Sequence, residues 1–123
     1  MVALVALLVG LFAAVAYAEV LNGTSGNNNL IDPTAGNDQI YARGGTDVID
    51  GDFGTPGEDN DADLLKGQRG PDNVSGVDED TLDTVAGNRG NDTCYIDENI
   101  VTHATDAVGG SCNEVIEVPF GIE

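Results

Sequence analysis

Only four lysine and arginine residues stand against 22 aspartates and glutamates in this chain, leaving a formal charge of −18. Such a surface repels nucleic acid and anionic membranes, so neither is expected as a partner, whereas cations are natural ligands. Tryptophan is absent and aromatic residues make up 5% of the 123 residues, so the large side chains that fill an ordinary small-domain core are missing. The single histidine, His103, has no second histidine or cysteine at metal-ligand spacing, and no zinc-protease helix motif is present. Nor can one histidine be tied to Ser25, Ser75 or Ser111 as a nucleophile triad, so the sequence is not expected to encode an enzyme.

What the chain does contain is organised from its start. Residues 2 to 16 are almost wholly apolar and end in Ala16-Tyr17-Ala18 before Glu19, the small-residue pattern of signal-peptidase cleavage. Residues 1–18 therefore read as a signal peptide. Residues 19–123 read as a secreted, extracellular domain with no stable membrane span after cleavage. In that oxidising setting the two cysteines, Cys94 and Cys112, read as a disulfide, with two buried thiols as the alternative. They lie 18 residues apart, two nine-residue periods, which predicts neighbouring parallel strands within bridging distance.

The nine-residue period is clearest in Gly67-Gln68-Arg69-Gly70-Pro71-Asp72-Asn73-Val74-Ser75 and in Gly87-Asn88-Arg89-Gly90-Asn91-Asp92-Thr93-Cys94. Glycine occupies the first and fourth places, Asp the sixth and a small apolar residue the eighth. Gly44-Gly45-Thr46-Asp47-Val48-Ile49 and Ala35-Gly36-Asn37-Asp38-Gln39-Ile40 match the second half. Nine units follow, with Leu30, Ile40, Ile49, Leu65, Val74, Val85, Cys94, Val108 and Ile116 at the eighth place. Their sixth places are Asn28, Asp38, Asp47, Asp63, Asp72, Asp83, Asp92, Asp106 and Glu114. Alternation along a strand puts sixth and eighth places on one face, predicted to be the interior.

The motif resembles the calcium-binding repeat of the repeats-in-toxin (RTX), or hemolysin-type, family. That resemblance implies an all-β fold, a right-handed parallel β-roll, with calcium between stacked glycine-rich turns. It implies metal-ligating carboxylates at Asp47, Asp72 and Asp92, and also at Asp38, Asp63 and Asp83. The chemistry agrees: a hard cation takes six to eight oxygens, and metal-free rows of carboxylates would repel one another, coupling folding to calcium. A C-terminal cap is expected over about 95–123, clamped by the disulfide, with a last strand over Val115 to Pro119.

The insertions all fall in even-numbered units: Asp32, Phe53 to Ala62, Val77 to Leu82, and most of Tyr95 to Thr105. In a coil of two strands, odd and even turns stack on opposite edges, so the insertions should emerge from one side. That side should be strongly anionic, with Asp59-Asn60-Asp61-Ala62-Asp63 as a place for further metal or a solvated acidic loop. Arg43, Arg69 and Arg89 belong to odd turns and are expected to form a ladder offsetting the carboxylates there. The reading is a secreted calcium-binding β-roll. Its first alternative is a calcium-stiffened adhesin or matrix protein with a cell-surface or polysaccharide partner, and a more distant one is an exported hydrolase.

Overall fold

The computed structural model describes residues 18–31, 35–51, 61–99 and 101–121, so residues 1–17 of the segment read above as a signal peptide and the centre of the long acidic loop lie outside them. Ten strands alternate between two sheets. β1 (Val20–Asn22), β3 (Gln39–Tyr41), β5 (Leu64–Arg69), β7 (Thr84–Arg89) and β9 (Ala107–Val108) lie side by side in one. The second holds β2 (Asn29–Ile31), β4 (Val48–Asp50), β6 (Asn73–Ser75), β8 (Thr93–Asn99) and β10 (Glu114–Phe120). Every strand pair is parallel, and each coil contributes one strand to each sheet. The chain is an all-β solenoid of about four turns, as the period predicts.

The strands are short because each has one inward apolar residue to bury. Ile40, Leu65 and Val85 register across the first sheet, and Leu30, Ile49, Val74 and Cys94 across the second. All seven are buried, and together with Ala42 and Ile96 they form the core. Facing sheets normally stand about 10 Å apart, a gap that small aliphatics fill without aromatics. Each such side chain contributes about 1.5–3 kcal/mol on burial.

Where coils stack most closely, the fourth-place glycines do what no other residue can. Gly70 and Gly90 have φ of 112° and 148°, and a Cβ on either would run into the fourth-place glycine of the preceding coil, Gly45 or Gly70. At the second place, by contrast, Arg43, Gln68 and Asn88 hold φ of 76°, 79° and 73° in the left-handed region despite their side chains. Each costs on the order of 1 kcal/mol relative to glycine.

The C-terminal coil departs from the period. Val115, not Ile116, stands opposite Cys94, and Asn113, not Glu114, occupies the sixth-place position. The unit is shifted by one residue because 21 residues separate Asp92 from its counterpart. Elsewhere the coils measure 19, 20, 23 or 25 residues, so none has the 18-residue repeat. Cys112 consequently sits in the turn before β10 rather than on the strand, yet it bridges to Cys94 with a Cα–Cα distance of 5.9 Å. Tyr95 to Asn99, expected as part of an insertion, instead extends β8 and pairs with Ile116 to Phe120 of β10. Pro119 lies within β10 opposite Glu98, tolerated because β10 is an edge strand. On the edge strands β9 and β10, Val108 and Val115, which register with the buried Val85 and Cys94, are 41% and 43% exposed.

The bridge closes an 18-residue loop, for which chain entropy gives about 3 kcal/mol. Cys112→Ser should therefore lower the unfolding free energy of the calcium-loaded chain by about that amount in a urea titration. An unchanged midpoint would mean that the β8–β10 ladder alone holds the last coil.

Candidate metal centres at the two edges

The sixth-place side chain folds back into its own turn. A Cβ at the first-place Gly67 would stand 2.5 Å from Asp72 Oδ2, and one at Gly87 would meet Asp92 in the same way, so the Asp excludes any side chain there. With the carboxylate tucked in, one oxygen faces the neighbouring coil. On the edge formed by odd turns, Asn28, Asp47, Asp72 and Asp92 each donate their backbone N–H to Oδ1 of the next sixth-place residue. The acceptors are Asp47 at 2.7 Å, Asp72 at 2.9 Å, Asp92 at 3.0 Å and Asn113 at 3.0 Å. The opposite edge repeats this from Glu19 through Asp38, Asp63 and Asp83 to Asp106, at 2.5, 2.7, 2.8 and 3.2 Å. The six aspartates singled out in the sequence thus form two ladders, three on each edge.

The second oxygen distinguishes these carboxylates from ordinary caps. Asp47, Asp72, Asp83 and Asp92 are no more than 2% exposed, and Oδ2 of each is shielded from solvent with no hydrogen-bond partner. A buried, ionised oxygen without a donor costs several kcal/mol, so a row of them is the donor set of a cation site rather than a self-sufficient polar network. Neighbouring rungs aggravate the problem. At the strand spacing of about 4.8 Å, two full charges repel by about 3.5 kcal/mol at an effective dielectric of 20. A mid-ladder aspartate has two such neighbours, against about 1.5–3 kcal/mol from its one charge-assisted hydrogen bond. Repulsion wins unless protons or cations intervene. The Asp72 carboxyl is pushed up to about 6, first by burial and then by Asp47 and Asp92, against the pull of a backbone hydrogen bond.

The edge that carries the insertions is denser still. Asp61, Asp78 and Asp83 bring carboxylate oxygens within 4.8 Å of one another, and so do Asp80, Asp83 and Asp106. Asp83 is shared by both groups, and all five residues are buried. Burial, and secondarily the neighbouring carboxylates, raises Asp78 to about 8, Asp83 to about 9 and Asp106 to about 7, in each case against backbone hydrogen bonds that lower them. Asp97 ties the cluster together from β8. Its Oδ2 accepts the N–H groups of Asp78 and Glu79 at 2.7 and 2.9 Å, and its own N–H donates to Asp106 Oδ2 at 2.8 Å. Asp97 Oδ1 is buried and unpartnered. Its sequence signal was hidden, since Tyr95 to Thr105 reads as a loop until β10 is seen to pair along it.

The expected asymmetry of the edges is present, but the arginines act differently. Arg43, Arg69 and Arg89 do sit on the odd-turn edge, yet among the described residues the only ion pair is His103 with Glu98, at 3.5 Å. The guanidinium groups therefore do not neutralise the ladder, because its carboxylates point into the turns while the arginines project outward. His103 is exposed on the last even turn, with its Nδ1 3.5 Å from Glu98 Oε1.

The family comparison bears on the same two edges. A model described as the RTX calcium-binding nonapeptide repeat matches in four copies over residues 34–55 and 79–95, spans that include Asp38, Asp47, Asp83 and Asp92. No curated protein and no solved structure matches the chain. Stacked parallel coils, buried carboxylates with free oxygens and the matched nonapeptides agree: this chain carries RTX calcium-binding repeats, and its cation is Ca2+.

Proposed function

We propose that this chain is an exported protein whose β-roll is folded and stiffened by calcium. Asp47, Asp72 and Asp92 would hold ions along one edge, and Asp38, Asp63 and Asp83 along the other. The observation that carries this reading is the pair of ladders in which each rung spends one oxygen on the adjacent coil and keeps another buried. When bound, calcium supplies positive charge and accepts oxygen ligands. The chain's own residues fix the carboxylates, keep water off them and hold the turns open. Around Asp83, the carboxylates of Asp61, Asp78, Asp80 and Asp106 form a denser donor set, which we assign to additional calcium. Export follows from the leader-like segment and the disulfide, and no helix among the described residues is long and apolar enough to cross a membrane. A role in adhesion is the second reading, and it is favoured by the cationic groove described below.

Circular dichroism of residues 19–123 during calcium titration, with magnesium as control, should show strand signal appearing with calcium and much less with magnesium, which gives up its water reluctantly. A spectrum indifferent to both calcium and chelator would refute coupled folding. Asp72→Asn and Asp83→Asn should each weaken calcium binding about tenfold. The same variants should stabilise the metal-free chain at pH 7 by about 1 kcal/mol, Asp72→Asn because a charge leaves a repulsive row and Asp83→Asn because the buried group no longer has to take up a proton on folding. Calorimetry and urea unfolding in chelator read the two effects separately.

The pH dependence follows from the raised carboxyls. Asp72, Asp78, Asp83 and Asp106 bind protons more tightly in the metal-free fold than in the unfolded chain. Their contribution to stability is present below the unfolded value near 4 and is lost as pH rises through about 6 to 9. Metal-free protein should therefore be more folded at pH 5 than at pH 8. Calcium affinity should run the other way, rising over that interval with proton release measurable in buffers of different ionisation enthalpy.

A further inference from the structure

All four basic residues of the chain converge on one surface feature. Arg43, Lys66, Arg69 and Arg89 line an open groove of about 930 Å3 on the odd-turn edge, with Ser25 and Asn88 between them. In a protein with 22 carboxylates, random placement would scatter cations among acidic partners. Here the three arginines are exposed, and none of the four makes an ion pair among the described residues. Arg69 and Arg89 stand directly opposite each other on β5 and β7, and Gly44, next to Arg43, bridges to Arg69. Like charges in register on adjacent strands are destabilising, so the arrangement costs stability that the fold does not recover by itself.

Two further details bear on the ligand. Asn88, like Ser25, adds a polar side chain to the lining of the groove. Lys66 extends over the ring of Tyr41, 5.6 Å from its centre, and this contact holds its ammonium group without neutralising it. The cations recur coil by coil, at the strand spacing of about 4.8 Å. A matching ligand is extended along the stack, bears an anionic group on successive units and has hydroxyls for the serine and amide side chains. On the groove's own edge the carboxylates of Asp47, Asp72 and Asp92 are buried in their turns, whereas the three arginines are exposed to a ligand.

We infer that this groove binds a linear anionic polysaccharide, independently of which ions fill the carboxylate ladders. The shared chemistry is a carboxylate or sulfate on each sugar or each disaccharide. Nucleic acid, with its higher charge density, meets more repulsion from the remaining surface, and a second copy of this chain could offer only its acidic edge.

The test is isothermal titration of the calcium-loaded chain with a galacturonate hexasaccharide, a chondroitin sulfate hexasaccharide, neutral cellohexaose and an oligonucleotide. At least one anionic glycan should bind while cellohexaose does not, and binding should weaken steeply towards about 1 M salt, where the Debye length falls to about 3 Å. Which glycan binds more tightly identifies carboxylate or sulfate as the recognised group. Arg69→Gln and Arg89→Gln should each reduce affinity about tenfold, with Arg69→Lys retaining more of it. The calcium-induced circular dichroism of each variant should match the parent, which separates loss of the groove from loss of the calcium-dependent fold. The inference is overturned if neither anionic glycan binds, if the triple Arg43, Arg69 and Arg89 to Gln variant binds as well as the parent, or if the oligonucleotide binds as tightly. Sedimentation showing a dimer that the triple variant abolishes would likewise overturn it, since the occupant would then be a second copy.

Discussion

Repulsion between stacked carboxylates is the constraint on which the rest of this structure depends. Parallel coiling forces equivalent residues of successive turns to a separation of about 4.8 Å, so a sixth-place Asp in every unit becomes a row of like charges. Each rung finds one stabilising donor, the N–H of the coil before it, and that donor is outweighed by two neighbouring charges. The N- and C-terminal ends of the odd-turn ladder show the same pressure. There Asn28 and Asn113 take the sixth place: Asn113 Oδ1 accepts the Asp92 N–H without a charge, and Asn28 Oδ1 accepts the N–H of Thr24 in its own turn. In the proposed function calcium would resolve the conflict by giving the buried oxygens a shared ligand, leaving the thin aliphatic core only to set the spacing between sheets.

The two edges apply this rule differently. On the odd-turn side the turns are tight, glycine permits contact between coils, and the basic residues are displaced outward to a groove. On the even-turn side, inserted residues add Asp61, Asp78 and Asp80 to the ladder, and Asp97 and Asp106 complete a buried acidic cluster. One edge is accordingly suited to presenting a surface, and the other to concentrating metal.

Much of this was legible because the repeat carries its own geometry. Glycine, Asp and an apolar residue at fixed places determine which atoms face inward, and the parity of the insertions identifies the edges before any coordinate is known. What escaped had specific physical causes. The last unit slips by one residue because Val115 and Ile116 are equally apolar, and only pairing along β8 decides between them. Cys94 and Cys112 were paired from an 18-residue coil that the structure does not contain; the bridge forms because the turn before β10 brings Cys112 back towards the core. The arginines were assigned to the carboxylates by proximity along the chain, whereas the inward fold of the sixth-place side chain leaves them facing solvent. Asp97 was invisible because it fits no repeat position.

The central claim concerns individual amides, so residue-resolved hydrogen exchange tests it most directly. The N–H groups of Asp47, Asp63, Asp72 and Asp83 donate to the carboxylate of the next rung and should be strongly protected in calcium. In chelator at pH 8 they should exchange at rates close to those of an unfolded chain. Equal protection in both conditions would contradict the account, since the ladders would then hold their charge without the metal.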